Sequence, residues 1–344
     1  MAEDNSSYSK STIDTKDMIL GRLTYGKLVF LCLISLALSV VGPLSFFAPL
    51  PLTIAFLLYG TKKTFGVVAA ATILTVVASM TSPAMTEFAY YGVILSIASL
   101  MAYAVASIIM KGENPVNGLM HRGFIVLAIV GSLVLISAVL TTGSMTENIE
   151  AFTAKNFEIV KQNEGYKQII QAGGEQARVL EEVFNNPKVI LTQFYQWIFS
   201  AVFVGTFFML WITLFMILRN GTIWKSIHNY EYDLDDLVKF RVPDFFAYFV
   251  VVGLALFLGG EYLGGKTLEI IGGNVLYCLG VFYFFQGMGI YLDFLKHLKV
   301  TGLLRNLLTV MTIFFAYRIV AIVGLFDLWV EFRKYFKKNE GDIS

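Results

Sequence analysis

The sequence predicts an all-α, polytopic integral membrane bundle of about eight full spans, followed by a broken or re-entrant C-terminal helical segment. Three observations carry this. Hydrophobic residues make up 56% of the 344-residue chain and charged residues only 15%, with mean hydropathy +0.68, so charge is too scarce to coat a soluble globule of this length. Apolar runs of about twenty residues, enough for a helix to cross about 30 Å of hydrocarbon, recur along the chain. Lys and Arg gather in alternate connections between those runs.

The opening stretch "MAEDNSSYSKSTIDTKDM", residues 1–18, is polar and too long a lead for a signal peptide, and reads as a retained cytoplasmic tail. Residues 19–142 hold five spans, near 24–42, 44–60, 65–82, 88–110 and 122–142. The second contains Pro43, Pro49 and Pro51, which do not fit an unbroken helix interior. Its first half is either extended, lining a break, or a tight turn between hairpinned helices. Residues 143–188 form an extracytoplasmic insertion with helical spacing, Tyr166, Ile169 and Ile170, then Leu180, Val183 and Phe184, separated by Gly173 and Gly174 and closed by "NNP". Two or three short amphipathic helices are expected there, acting as a lid or docking module or simply packing on each other or on the headgroup region. Residues 189–331 hold spans near 189–218, 245–262 and 269–294 with a cytoplasmic loop at 219–243, and 332–344 form a charged tail.

Charge sets the orientation. Lys16, Arg22 and Lys27, then Lys62 and Lys63, Lys111 and Arg122, Arg219 to Arg241, and Lys296 with Lys299 fall on one side, which places them and the N-terminus in the cytoplasm. The connections "TSPAMTE" and that after residue 142 then lie outside. The last apolar segment, 302–331, would export Arg333, Lys334, Lys337 and Lys338 if it crossed once. A helical hairpin turning near Ala316–Arg318 keeps them inside, with limbs of about fourteen residues, roughly 21 Å each. That reading is preferred to a single tilted span with an external C-terminus.

Chemistry-bearing motifs are scarce. The net charge of +1 gives no signal for nucleic acid. His121, His228 and His297 show no H-E-x-x-H spacing, G-x-S-x-G is absent, and Cys32 and Cys278 lie in separate apolar runs. No enzyme activity, metal or cofactor is therefore expected. "GEYLGGKT", 260–267, fits the phosphate-loop expression, but it joins two membrane helices without the strand that delivers such a loop, and its glycines are expected to make a turn.

Polar groups at membrane depth are the better evidence. Gln286, Asp293 and His297 fall within about 20° of one line at 100° per residue, a stripe running toward the cytoplasm. Gly280 and Gly287 offer a face for close helix approach. Asn274, about 18 Å from Gln286 and turned about 120° from it, belongs to a different environment. Either carboxamide can be interhelical glue; Asn274 can equally line an outward pocket. Arg318 and Asp327 pair with each other or with the eighth span if the C-terminal segment is a hairpin, and point to opposite faces in one continuous helix.

"NGTIW" (220–224), "RVPDFFAYFV" (241–250), Asn274, "FFQGMGIYLDFL" (284–295) and "GLFDLWVEFRK" (324–334) together resemble the YybS-like family of bacterial polytopic membrane proteins, a family of unassigned function. More distantly, "PLTIAFLLYGTKKTFGVVAAATILT", with Pro51, Gly60 and Gly66, is similar to S-components of energy-coupling-factor transporters. The resemblance implies a helical bundle with a small-molecule pocket opening outward and cytoplasmic partners, and it singles out Pro243, Asn274, Gln286, Gly287 and Asp327.

The expected function is a small-solute binding or transport component of the bacterial cytoplasmic membrane. Asn274, Tyr277 and Arg318 would contact the solute, while Pro243, Gln286, Gly287, Asp293 and Asp327 couple or pack helices. The expected partners are the bilayer, a small-molecule ligand and a cytoplasmic or membrane protein. The alternative is a non-transporting envelope scaffold docking proteins through 143–188 and 219–243.

Overall fold

The structure is a computed structural model describing residues 23–81, 87–140 and 144–337. The 1–18 tail, Lys16, Arg22, most of "TSPAMTE", and the end of the charged tail from Lys338 lie outside the described residues. Among those described, regular structure is helical throughout: α1 Tyr25–Val40, a 3-10 turn Gly42–Phe47, α2 Pro49–Tyr59, α3 Thr61–Thr81, α4 Glu87–Met110, α5 Pro115–Leu140, α6 Ser144–Gln162, α7 Glu164–Ala172, α8 Glu175–Asn185, α9 Pro187–Leu218, α10 Gly221–His228, α11 Leu234–Val238, α12 Phe246–Leu263, α13 Lys266–His297, α14 Gly302–Phe315, α15 Tyr317–Val330 and α16 Arg333–Lys337.

Each of the eight expected spans coincides with helix. Five helices, α3, α4, α5, α9 and α13, are long and apolar enough to cross a membrane, and three apolar helices are shorter: Tyr25–Val40, Leu44–Tyr59 and Phe246–Tyr262. In the second span, Pro49 and Pro51 sit in the first turn of α2, where backbone N–H groups have no intrahelical partner to lose. A tight turn precedes them, held where Ser35 Oγ donates to Ala48 O at 2.7 Å. The insertion forms three helices, α6 to α8, broken at Gly173 and Gly174, whose φ of 67° and 93° favour glycine. The "GEYLGGKT" glycines do make a turn: the N–H groups of Gly264 and Gly265 both donate to Gly260 O, and Gly265 has φ 80°.

Two compact units emerge. The second comprises Ala128–Phe203 and Val252–Leu276, and includes the insertion, where the rings of Phe157 and Tyr166 pack on Phe184 at 4.6 and 5.2 Å. The first comprises residues to Leu127, Val204–Val251 and Tyr277 onward. Its core is aromatic, with Trp211 of α9 stacked on Phe285 of α13 at 5.1 Å and 9°.

Basic connections of the first unit converge on one face. His228 Nε2 lies 2.8 Å from Leu57 O, Tyr230 Oη donates to Glu113 O at 3.0 Å, and Arg122 pairs with Glu113. The segments around residues 57–60, 111–114 and 219–243 are thus brought together.

The C-terminal pair α14 and α15 bends by 93° at Ala316, an elbow rather than a closed hairpin. Its start is held at the end of α13, where Val300 N–H donates to Leu295 O at 3.0 Å. Its far end returns to the same place: Arg333 Nε is 3.4 Å from Asp293, and the Phe336 ring is 5.7 Å from Phe294 and 5.8 Å from His297. Along α13 the pair reaches Tyr283, against which Gly324 packs, about 21 Å above His297 at 1.5 Å per residue. Both ends of the pair therefore lie beside the same end of α13, as expected of a broken or re-entrant segment. Arg333 Nη2 also donates to Val238 O at 2.8 Å, which puts the C-terminal helix on the face of loop 219–243.

Candidate functional site

Residues 281–290 of α13 are buried without exception, and Gln286, 1% exposed, must satisfy its amide inside the protein. Its Oε1 accepts the Val242 N–H at 2.8 Å and its Nε2 donates to Asp327 Oδ2 at 2.9 Å. Asp327 Oδ1 accepts the Phe332 N–H at 2.8 Å. One amide and one carboxylate therefore tie the loop, α13, α15 and the C-terminal turn together. Pro243 helps present the donor, since a residue before proline is biased to extended backbone.

Glycine makes this approach feasible. A Cβ on Gly287 would collide with Val320 O, and one on Gly324 with Tyr283 O, so α13 and α15 meet backbone to backbone. Gly280, expected on the same close-packing face, has nothing within 4 Å of an added Cβ; the close contact is confined to Gly287. The remaining stripe residues are also engaged by the C-terminal segment, Asp293 by Arg333 and His297 by the ring of Phe336. Arg318 and Asp327 share α15 at positions nine apart, about 180° around it. Asp327 faces in, and Arg318 is exposed, donating to Tyr317 Oη at 3.1 Å.

Asn274 is occupied elsewhere. Its Oδ1 accepts the Ser200 N–H at 3.1 Å and its Nδ2 donates to Gln196 O at 2.8 Å and Ile270 O at 2.9 Å. Gln196 and Ser200 are the carbonyl and amide that bond each other across one helical turn, so the side chain brackets a turn of α9. Tyr277 is 60% exposed. Asn274, Tyr277 and Arg318 line neither of two cavities found among the described residues of the first unit.

The larger of those cavities, about 480 Å³, lies where α9 ends. Arg219, Lys225 and Arg305 reach it from the end of α9, from α10 and from α14, over an apolar wall that includes Ile212, Phe215 and Ile313. Among the described residues no ion pair joins these three cations to a carboxylate. Asp233 and Asp235 also line the cleft, but Asp233 Oδ1 is engaged in capping α11, accepting the N–H groups of Asp235 at 2.9 Å and Asp236 at 3.4 Å. Desolvation pushes the Asp236 carboxyl up, but the Asp233 N–H and Lys239 outweigh it and hold the group below its usual value. Burial first, then the nearby Tyr232, Asp236 and Glu113, push the Tyr230 phenol up, so it remains a donor to Glu113. A smaller, almost wholly apolar cavity of about 290 Å³ sits in the α14–α15 elbow against Gly287 and Ile290. Among the described residues no group of three or more His, Cys, Asp or Glu could hold a metal ion.

Residues 28–328 match the model of a family described as predicted membrane protein, DUF2232. The chain belongs to that family. The matched stretch includes the three cleft cations, Gln286 and Asp327, and stops short of Arg333. No curated protein and no solved structure matches the chain. Membership agrees with the several apolar helices in giving a multi-pass membrane protein.

From the sequence, Arg219 and Lys225 read only as side-determining charges, and Arg305 stands out in no motif. The signal was a polar start to an otherwise apolar helix, Arg305 and Thr309 one turn apart, with Thr309 and Ile313 its buried residues.

Proposed function

We propose that this family member is a solute-binding component of the membrane whose ligand site is the cleft where α9 ends. The observation that carries this reading is the combination, in about 480 Å³, of three cations without carboxylate ion-pair partners among the described residues and an apolar wall. Ligand pockets are concave and mostly apolar with a few convergent polar groups, and a scaffold has no need to leave cations unpaired around a void. The positive-inside reading puts this face in the cytoplasm of a bacterial cell, in the inner membrane. The ligand site is then at the basic end rather than around Asn274, Tyr277 and Arg318. The distant S-component resemblance supports small-solute binding. The C-terminal segment would join the site to the Gln286–Asp327 clasp: α14 lines the cleft and α15 carries Asp327, so occupancy would be coupled through Ala316 to that clasp. Transport would draw energy from a separate partner.

Native mass spectrometry of protein gently extracted from its own membrane tests the proposal. A stoichiometric small ligand is expected, absent from Val310→Trp, which fills the cleft from an exposed position, and retained by Asn274→Leu. A protein partner with no small ligand would favour the scaffold and sink the binding reading.

A further inference from the structure

We propose that the cleft takes a phosphate group carried on a hydrocarbon body, supplied by an anionic lipid of the adjoining leaflet; this rests on the binding role proposed above. The cleft is polar at one end and apolar at the other. Arg219 immediately follows Leu191–Leu218, the apolar portion of α9, and so sits at the level where lipid phosphates meet the hydrocarbon. Ile212, on the same helix and lining the same cleft, lies about 10 Å deeper at 1.5 Å per residue. Phe47, Val310, Ile313 and Phe314 extend that apolar wall.

Each simpler occupant leaves part of this surface unmatched. A neutral hydrocarbon would cover the wall but desolvate cations without compensation. A small soluble anion would meet the cations and leave the wall in contact with water. A phosphate amphiphile satisfies both. Two guanidinium groups and an ammonium approach from three separate elements, and each guanidinium can present a two-donor fork to phosphate oxygens. The start of α10 adds to this arrangement: Gly221 and Thr222 line the cleft, and Asn220 makes no side-chain cap there. Asp233 and Asp235 lower the net charge of the lining to about one positive unit, which suits a phosphodiester with a single negative charge.

Purified protein in a neutral detergent, titrated separately with phosphatidylglycerol, phosphatidylcholine and glycerol 3-phosphate, gives the test, read as the midpoint of thermal unfolding. Phosphatidylglycerol is expected to raise the midpoint saturably, and the other two are expected not to. Arg219→Gln and Arg305→Gln should each weaken the half-saturating concentration about fivefold, the effect of losing one basic contact near a lipid headgroup. Arg241→Gln, which removes an exposed cation 3.6 Å from Asp244 and outside the cleft, should leave it unchanged. An equal response to phosphatidylcholine, which carries the same phosphodiester under a cationic headgroup, overturns the anionic-lipid assignment, and a phosphatidylglycerol titration indifferent to Arg219 and Arg305 overturns the phosphate contact. A full response to glycerol 3-phosphate alone overturns the lipid source and points to a soluble phosphate ester. Val310→Trp separates this from the broader reading. If it abolishes retention of a ligand that the charge variants still bind, the cleft is a binding site for another class. If it changes no binding at all, the cleft itself is the wrong site.

Discussion

Leucine at position 286 would strand two groups at once, the Val242 N–H and one oxygen of Asp327, both inside the first unit. Leaving buried polar groups unsatisfied costs about 1–3 kcal/mol each, so Gln286→Leu should unfold far more readily than the parent in a chemical denaturation in detergent. Asn274→Leu should be milder, within about 1 kcal/mol. Gln196 O and Ser200 N–H, the backbone groups Asn274 brackets, can bond each other once the amide is gone. Equal losses for the two variants would contradict this distinction. Asp327→Asn adds a sharper version, because the Gln286 NH₂ and the Phe332 N–H both donate to Asp327 and the single oxygen of Asn can accept only one of them, leaving its NH₂ facing the other donor. These differences were only half legible. That Gln286 and Asn274 could each be interhelical glue follows from a carboxamide in an apolar run. Which partners they take does not, since the Gln286 partners lie 44 and 41 residues away in sequence and one is a backbone N–H.

At the scale of elements, the α13–α15 crossing depends on two glycines that differ from a third on the same helix. Gly287→Ala and Gly324→Ala would drive a methyl into Val320 O and Tyr283 O, which are backbone atoms and cannot rotate away. Each should cost at least about 1–3 kcal/mol as an overpacked site and should loosen the C-terminal segment to proteolysis. Gly280→Ala, with open space around its Cβ, should be neutral or stabilising by up to about 1 kcal/mol from helix propensity. Sequence spacing put Gly280 and Gly287 on one face, but it could not say how far along that face the neighbour extends. The short helix α11 depends on its capping box, in which Asp236 also accepts the Asp233 N–H at 3.0 Å. Because the Asp236 carboxyl is held below its ordinary value of 3.8, its contribution is fully present above that pH and is lost as pH falls through the lower folded value. Amide protection at Leu237 and Val238, taken relative to the intrinsic exchange rate at each pH, should therefore fall only at acidic pH, and Asp236→Asn should remove that dependence.

For the whole molecule, helix positions were legible because apolar runs and breakers such as Gly60 and the Gly173–Gly174 pair are local signals, whereas crossing number is not. A segment of two fourteen-residue limbs can cross once, or turn back, with the same composition; what decides is where its ends are anchored. The ends here are held by long-range contacts, Arg333 with Val238 and Asp293, and Phe336 with His297. Single-cysteine labelling in sealed inverted and right-side-out vesicles, on a background with Cys32 and Cys278 replaced by serine, converts this into a measurement. Glu231→Cys, in the 219–243 loop, and Tyr335→Cys, 67% exposed on α16, should react with a membrane-impermeant maleimide from the same side. Opposite sides would mean that the pair crosses the bilayer, and α16 could not then lie beside Val238. Arg333→Ala refines the test: if the Asp293 and Val238 contacts hold the return limb in place, Tyr335→Cys should label faster in that variant while keeping its side. A change of side on losing this one residue would instead show that the anchor, and not the length of the limbs, sets the topology.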